Sequence, residues 1–484
     1  MAGLDPADAD ALLRAAALAV EFRDRLDASP QRPRLDYPGM LQRFDAPLPE
    51  AGLPAPEVIE LLAALALPGL NAMPGRRFFG WVIGGSHPVG VAADWLASAW
   101  GQNVGNHLAS PAGAACEAVA AQWLLDLLGL PAQASVGFVT GATMANFVGL
   151  AAARGEVLRR LGWDVDAQGL FGAPPIQVLI GDDAHATVFS ALQFLGLGHA
   201  RVTRLATDAA GAIEPAALAS ALQTARPPLI VVLQAGQINT GAFDDFQQLV
   251  PLAHAHQAWV HVDGAFGLWA RACPQRAALA AGVEQADSWA TDGHKWLQVP
   301  YDCGYAIVRD AQAHRRAMSI SASYLPTSAG DRDPSHLVPE LSRRARGFAS
   351  WALIRHLGRQ GIAAMVERHC RLAAAMAHRI ADEPGVALHN PVLLNQAVLR
   401  FGADAPADEG DRLTLATIAR VQAQGECFVG GAQWRGRWVM RLSVIGGATQ
   451  EIDALRSTEA IVAAWREVRG LPAGTAGTAA ADSG

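Results

Sequence analysis

Through the middle of the chain, short apolar runs alternate with stretches of helical spacing. "VGFVT", "IQVLIG", "PLIVVLQAG", "AWVHVDG" and "CGYAIVRD" are apolar along most of their length, as strands covered on both faces are. Strand runs alternating with helical patterns predict an α/β domain with a largely parallel sheet over 96–345. Residues 113–128 have helical spacing and stop at Gly129 and Pro131. Ahead of this domain, 5–28 read as an amphipathic helix and 29–56 as Pro-rich turns, so 1–95 form a helical and irregular N-terminal segment. Beyond residue 345, "FASWALIRHLGRQGIAAMVERHCRLAAAMAHRIADE" predicts a long helical stretch broken near Gly361. "VALHN", "QAVLRF" and "WVMRLSV" then predict strands of a smaller α+β domain over 346–470. The last stretch, 471–484, is low-complexity and expected to be disordered.

Composition narrows the function classes. A length of 484 residues exceeds one simple core and suits two or three domains. The net charge of −7 comes with no basic stripe, which argues against a nucleic-acid partner. The acidic opening "MAGLDPADAD" lacks the basic region of a secretory signal, and no apolar run approaches the roughly 18 residues of a membrane span, so a cytoplasmic protein is expected. Five scattered cysteines without a CxxC pair indicate neither a zinc site nor a disulfide framework, and no metal is expected.

The cations carry more information. Of the 38 Lys plus Arg, 37 are arginine and one is lysine, Lys295 in "ADSWATDGHKWLQVPYDCG". A surface cation needs only charge, which arginine supplies. A lysine can instead lose its proton, attack a carbonyl and form a Schiff base, which arginine cannot. Three further stretches follow apolar runs, where ligands gather in open α/β sheets. "GFVTGATMANF" offers a turn and helix start with Ala142 and Thr143, suited to a phosphate or to an ordinary N-cap. "GDDAHATVF" places His185 after a strand, and "WVHVDGAFG" places Asp263 at the end of another, where it is either a turn-former or a carboxylate needing a cationic partner. No GxSxG, HExxH, Walker loop or GxGxxG offers a rival chemistry. One ligand accounts for a phosphate cradle, a Schiff-base lysine and an anionic neighbour for a ring nitrogen together: pyridoxal phosphate.

The chain resembles the pyridoxal-phosphate group II decarboxylases, the family of aromatic-amino-acid and glutamate decarboxylases. The matching stretches run in the family's order over about residues 75–360: "HLASPAGAACEAVAAQWLLDLLGLP", "TGATMANF", "DDAHATV", "NTGAFDD", "VHVDGAFG", "DGHKWLQVPYDCG" and "LSRRARGFASWALIRHLG". The resemblance implies the aspartate-aminotransferase-like fold (fold type I) and a homodimer with active sites at the interface. It implies that Lys295 carries the cofactor, Asp263 pairs with the pyridinium, Ala265 packs below the ring and His185 stacks above it. Ala142, Thr143 and His294 would hold the phosphate, with Thr240 near the cofactor. The segment "RRFFGWVIGGSHP" resembles the part lining the substrate pocket, with Phe79 and Trp81 as candidates; core packing is the competing reading. Arg76 and Arg77 read as a solvated surface pair; either one facing the pocket would favour an acidic substrate.

The pattern departs from the family twice. Asp292-Gly293 stands where Asn-Pro is common, and an aspartate near a phosphate would repel it, so Asp292 is expected to point elsewhere or bond a partner. The stretch "SAGDRDPSHLVPELSRR" lacks the loop tyrosine that donates a proton in many relatives; His336 is the substitute candidate, and Tyr324 precedes the stretch. The expected reaction is decarboxylation of an L-amino acid to amine and CO₂, with a proton returned to Cα. Carbon–carbon lyase or aldolase chemistry, decarboxylation-coupled oxidative deamination, transamination and a non-catalytic dimeric scaffold are the alternatives.

Overall fold

The computed structural model describes residues 3–319 and 333–470. Three helices open the chain: α1 (Pro6–Arg25), α2 (Tyr37–Phe44) and α3 (Ala55–Ala66). Asp5 caps α1 through the Ala7 N–H, and Pro6 sits in its first turn, where its missing N–H costs nothing. Helices α4 (Pro88–Trp100) and α5 (Pro111–Leu128) lead into the large domain; Gly101 and Gly129 end them in the left-handed conformation.

The large domain then alternates strand and helix: β1 (Ser135–Val139), α6 (Ala142–Arg159), α7 (Val165–Gln168), β2 (Gln177–Gly181), α8 (Ala186–Phe194), β3 (Thr203–Leu205), α9 (Pro215–Thr224), β4 (Leu229–Gln234), α10 (Phe246–Ala255), β5 (Trp259–Asp263), β6 (Ser288–Asp292), β7 (Gly304–Val308) and α11 (Ala311–Met318). Its seven-stranded sheet has the order β1-β7-β6-β5-β4-β2-β3, and only β7 runs against the others. Strands β4, β5 and β7 are buried almost throughout, as a sheet covered on both faces requires. Two apolar cores occupy the two faces, one around Leu124, Val231 and Trp289, the other around Val148, Ile180 and Val232. Two strands of this sheet went unread in the sequence, β3 and β6. Both are short and mix polar with apolar residues, so neither shows an apolar run.

Helix α12 (Arg346–Ala381) leads to the smaller domain: β8 (Val386–Leu388), β9 (Gln396–Phe401), α13 (Ala407–Gln424), β10 (Gly430–Trp434), β11 (Arg437–Ser443) and α14 (Glu451–Arg469). Its sheet is antiparallel in the order β10-β11-β9-β8. The break in α12 falls at Gly358 (φ 61°), not near Gly361, which is helical. The expected start of the small domain at 346 coincides with the start of α12, but the cores divide further along it. Ile362, Met365 and Cys370 pack into the large domain's core, whereas Leu372, Met376 and Ile380 pack into the small one's. No described helix is long and apolar enough to cross a membrane.

Candidate active site

The carboxyl ends of β1, β2, β4, β5 and β6 open onto one cavity of about 270 Å³. Lys295, His294, Asp263, Ala265, His185, Ala142 and Thr143 all line it. The fold brings these residues together by one device: each follows the last residue of a strand, or is that residue.

Asp263 ends β5 and is 6% exposed. Its Oδ1 accepts the Ala265 N–H at 3.2 Å. Burial raises its pKa, and the charges of His185 and Lys295 oppose that rise. A buried carboxylate so placed suits a protonated ring nitrogen. His185 caps α8, its Nδ1 accepting the Thr187 N–H at 3.3 Å and lying 2.8 Å from Thr187 Oγ1. With Nδ1 accepting, the neutral tautomer carries its proton on Nε2. Burial lowers the pKa of His185, which keeps the ring neutral for stacking.

Lys295 Nζ lies 3.0 Å from Asp292 Oδ2. Asp292 ends β6 and lines the cavity; it bonds a partner as expected but does not point away. Its Oδ1 accepts the Ala142 N–H, the first of α6, at 2.6 Å. His294 packs its ring on Tyr301 at 4.3 Å between centroids and accepts the Cys303 N–H on Nδ1 at 3.3 Å. Burial lowers its pKa. Two glycines permit this crowding. A Cβ on Gly84 would stand 2.3 Å from the carbonyl oxygens of His294 and Lys295, and one on Gly304 would stand 2.5 Å from the Gly141 backbone.

Four expected site residues lie elsewhere. Thr240 does not line the cavity: it is 2% exposed, and its hydroxyl donates to the Ala210 carbonyl and accepts the Ala242 N–H. Phe79 is 1% exposed and packs in the small domain's core, its backbone bonded to Phe428 and Ser443. Trp81 is 49% exposed, at φ 54°, against Phe78 and Phe428. His336 lines a separate cavity with Arg315 and Asp333 and receives an Arg315 N–H. Residues 328–332 of its stretch, and Tyr324, lie outside the described residues. Arg77 is not solvated either: it is 3% exposed and donates to the carbonyls of Glu426 and Asp27. Arg76 pairs with Asp27 at 2.9 Å.

Two further residues escaped the sequence. Gln298, 1% exposed and at φ 65°, donates to the carbonyls of Lys295, Trp296 and Ile445 and accepts the N–H groups of Gly85 and Gly447. It ties the lysine's backbone to the segment before α4 and to the small domain; nothing in "KWLQVP" announces it. Arg441 on β11 donates to the carbonyl of Ile238, which lines the cavity. Its Nε is buried without a partner among the described residues, and burial lowers its pKa to about 10. A lone charge inside the apolar run "WVMRLSV" was its only signal.

The model of the pyridoxal-dependent decarboxylase conserved domain matches residues 38–397. The chain belongs to the pyridoxal-dependent decarboxylase family. An aromatic-L-amino-acid decarboxylase of Bacillus atrophaeus is 25% identical, over 93% of this chain and 94% of its own. Tryptophan decarboxylase 1 of Oryza sativa subsp. japonica is 28% identical, over 90% and 89%. Among solved structures, Oryza sativa TDC with PLP and tryptamine superposes with a TM-score of 0.89, at 24% identity, over 96% of this chain and 99% of that one.

This decarboxylase is a carboxy-lyase that releases CO₂ from an L-amino acid, and its residues fit pyridoxal phosphate. The start of α6 with Thr143 and His294 would hold the phosphate, Lys295 the aldehyde carbon, Asp263 the ring nitrogen, and His185 and Ala265 the two ring faces. Bound there, the cofactor supplies an electron-withdrawing ring that accepts the electron pair left at Cα. The chain's own part is to set the Asp263 carboxyl beside the ring, hold His185 neutral, and fix the Lys295 backbone through Gln298.

Proposed function

We propose that the substrate is an aromatic L-amino acid and that the working unit is a homodimer. The observation that carries the substrate reading is the removal of both arginines of the 76–88 segment. Arg77 is buried against backbone carbonyls and Arg76 is paired with Asp27, so neither offers a cation to an acidic side chain. The ring of Tyr301 stands instead against His294 at the cavity. Arg441 remains for the substrate's α-carboxylate, which every amino acid carries. The aromatic and tryptophan decarboxylases among the relatives support the same substrate class.

The dimer reading rests on the N-terminal helices. No residue of α1 is buried, and Leu12, Leu13 and Val20 are exposed, as are Leu61 and Leu62 of α3, which packs beside it. Exposed apolar side chains on two helices packed together support an association surface there.

The test is incubation of purified, cofactor-loaded protein under air with tryptophan, tyrosine, phenylalanine or glutamate. CO₂ is followed and products are identified by mass spectrometry. An aromatic amine in equal amount to CO₂ is expected, falling by at least about 10³-fold in Lys295→Ala. CO₂ from glutamate alone would overturn the substrate reading, and an aldehyde with ammonia in place of the amine would move the reaction to oxidative deamination.

A further inference from the structure

Asp292 puts a negative charge at the end of the cavity where a phosphate is to be bound. Its position is not adjustable. Its N–H donates to the Ala265 carbonyl at 2.9 Å, and its carbonyl accepts from Trp269 Nε1 at 2.9 Å. Its carboxylate is 2% exposed and touches three groups: Lys295 Nζ at 3.0 Å, the Ala142 N–H at 2.6 Å and His294 Nε2 at 3.5 Å. The Ala142 bond orients one oxygen, and the other is left for the lysine.

We propose that Asp292 is the fixed counter-ion of the Lys295 nitrogen, and positions it, rather than being a ligand of the cofactor's phosphate. A carboxylate set against a phosphate is repelled, whereas one 3.0 Å from a nitrogen attracts it whenever that nitrogen is cationic. The lysine nitrogen is cationic as the free ammonium and again as the protonated covalent adduct with the aldehyde. The Ala142 N–H, at the positive end of α6, compensates the carboxylate from its other side. Among the described residues the other carboxylate acting on Lys295 is Asp263, at the ring-nitrogen side of the cavity. Facing the pair are His294 beside it, His185 ahead of α8, Asp263 on β5, and Tyr301, Cys303 and Tyr305 on the segment entering β7. Burial pushes the two histidines, the tyrosines and the thiol toward their neutral forms. Asp263 is committed to the ring nitrogen.

The inference rests on the cofactor chemistry and not on the aromatic substrate, so its test uses no amino acid. The Asp292→Asn holoenzyme keeps the side-chain shape and loses the charge. The absorbance of the lysine–cofactor adduct is titrated against pH in wild type and variant. The midpoint is expected to fall by about one pH unit or more in the variant, because an opposite charge at this range stabilises the protonated form by that order. In parallel, affinities for pyridoxal phosphate and for pyridoxal, which lacks the phosphate, are measured by the same absorbance. Their ratio is expected to be unchanged. An unmoved midpoint, with pyridoxal phosphate gaining about tenfold or more over pyridoxal, would show that Asp292 faces the phosphate and overturn the proposal. Asp292→Ser retains an acceptor for Ala142 and carries the same expectation should the Asn variant not accumulate folded. Failure to find an aromatic amine would leave these readouts standing, and their failure would leave the substrate reading standing.

Discussion

His261 is a fully buried histidine two residues before Asp263. Ser288 Oγ accepts from Trp259 Nε1 at 2.9 Å and lies 2.8 Å from His261 Nδ1, while Nε2 lies 2.9 Å from Asn146 Oδ1. With Ser288 donating to Nδ1, the neutral ring donates to Asn146 and pins α6 to β5 and β6. Both ends of the lysine's cavity depend on that packing. Burial pushes the His261 pKa down to about 3. The folded state therefore binds fewer protons than the unfolded chain between the ordinary histidine value of about 6.5 and that lower value. Stability is present above that window and is lost as pH falls through it, at about 1.4 kcal/mol per pH unit for this one group. Denaturant unfolding at pH 7 and pH 5 checks it. The wild type is expected to lose stability, and His261→Gln to lose less by that slope; equal losses would show that His261 does not control the acid limit. At this scale the sequence was informative where chemistry dictates residue type. A single lysine and a carboxylate closing a strand are legible because no other residue performs their task. That Thr240, Phe79 and Trp81 stand outside the cavity lining and that Arg77 is buried is legible in no motif, because burial and side-chain direction are set by what packs against them.

Among the elements, the segment entering α12 is held by one buried ion pair. Arg343 and Glu117 are 0% and 1% exposed, with Nη1 at 2.8 Å from Oε1. The same guanidinium donates to the carbonyls of Val104 and Phe138, so α5, β1 and residue 343 share one hub next to the turn that starts α6. Removing one partner strands a buried charge, which costs about 3–5 kcal/mol. Glu117→Ala is expected to lower unfolding stability by that amount, and Glu117→Ala with Arg343→Met to cost less than the sum of the two single changes. Additive losses in a denaturation cycle would show that the pair is not coupled. The alternation of elements was legible, and so were five of the seven strands, because covered strands are apolar throughout. The break in α12 was placed near Gly361 rather than at Gly358. Periodicity registers that a glycine interrupts a helix but not which of two neighbours takes the left-handed turn.

For the whole molecule, the change of pattern after residue 345 falls at the start of α12, whereas the cores of the two sheets divide further along that helix, between Cys370 and Leu372. Amphipathic spacing in 5–28 predicts an apolar face; in α1 that face covers α3 only in part, and Leu12 and Leu13 are 61% and 71% exposed. A second cavity of about 660 Å³ lies along the same helices, lined by Leu18, Phe22, Leu67 and Leu70 among others. In the proposed homodimer a two-fold partner would cover these side chains with its own copy of the same helices. The double change Leu12→Glu, Leu13→Glu touches exposed positions, so folding of one copy is expected to change by only about 0.5 kcal/mol per site. Association is what it would disrupt. In size-exclusion chromatography with light scattering the wild type is expected to elute as a dimer and the variant as a monomer with unchanged helical content. A variant that still elutes as a dimer would place the interface on another face, and a monomeric wild type at micromolar concentration would remove the dimer altogether.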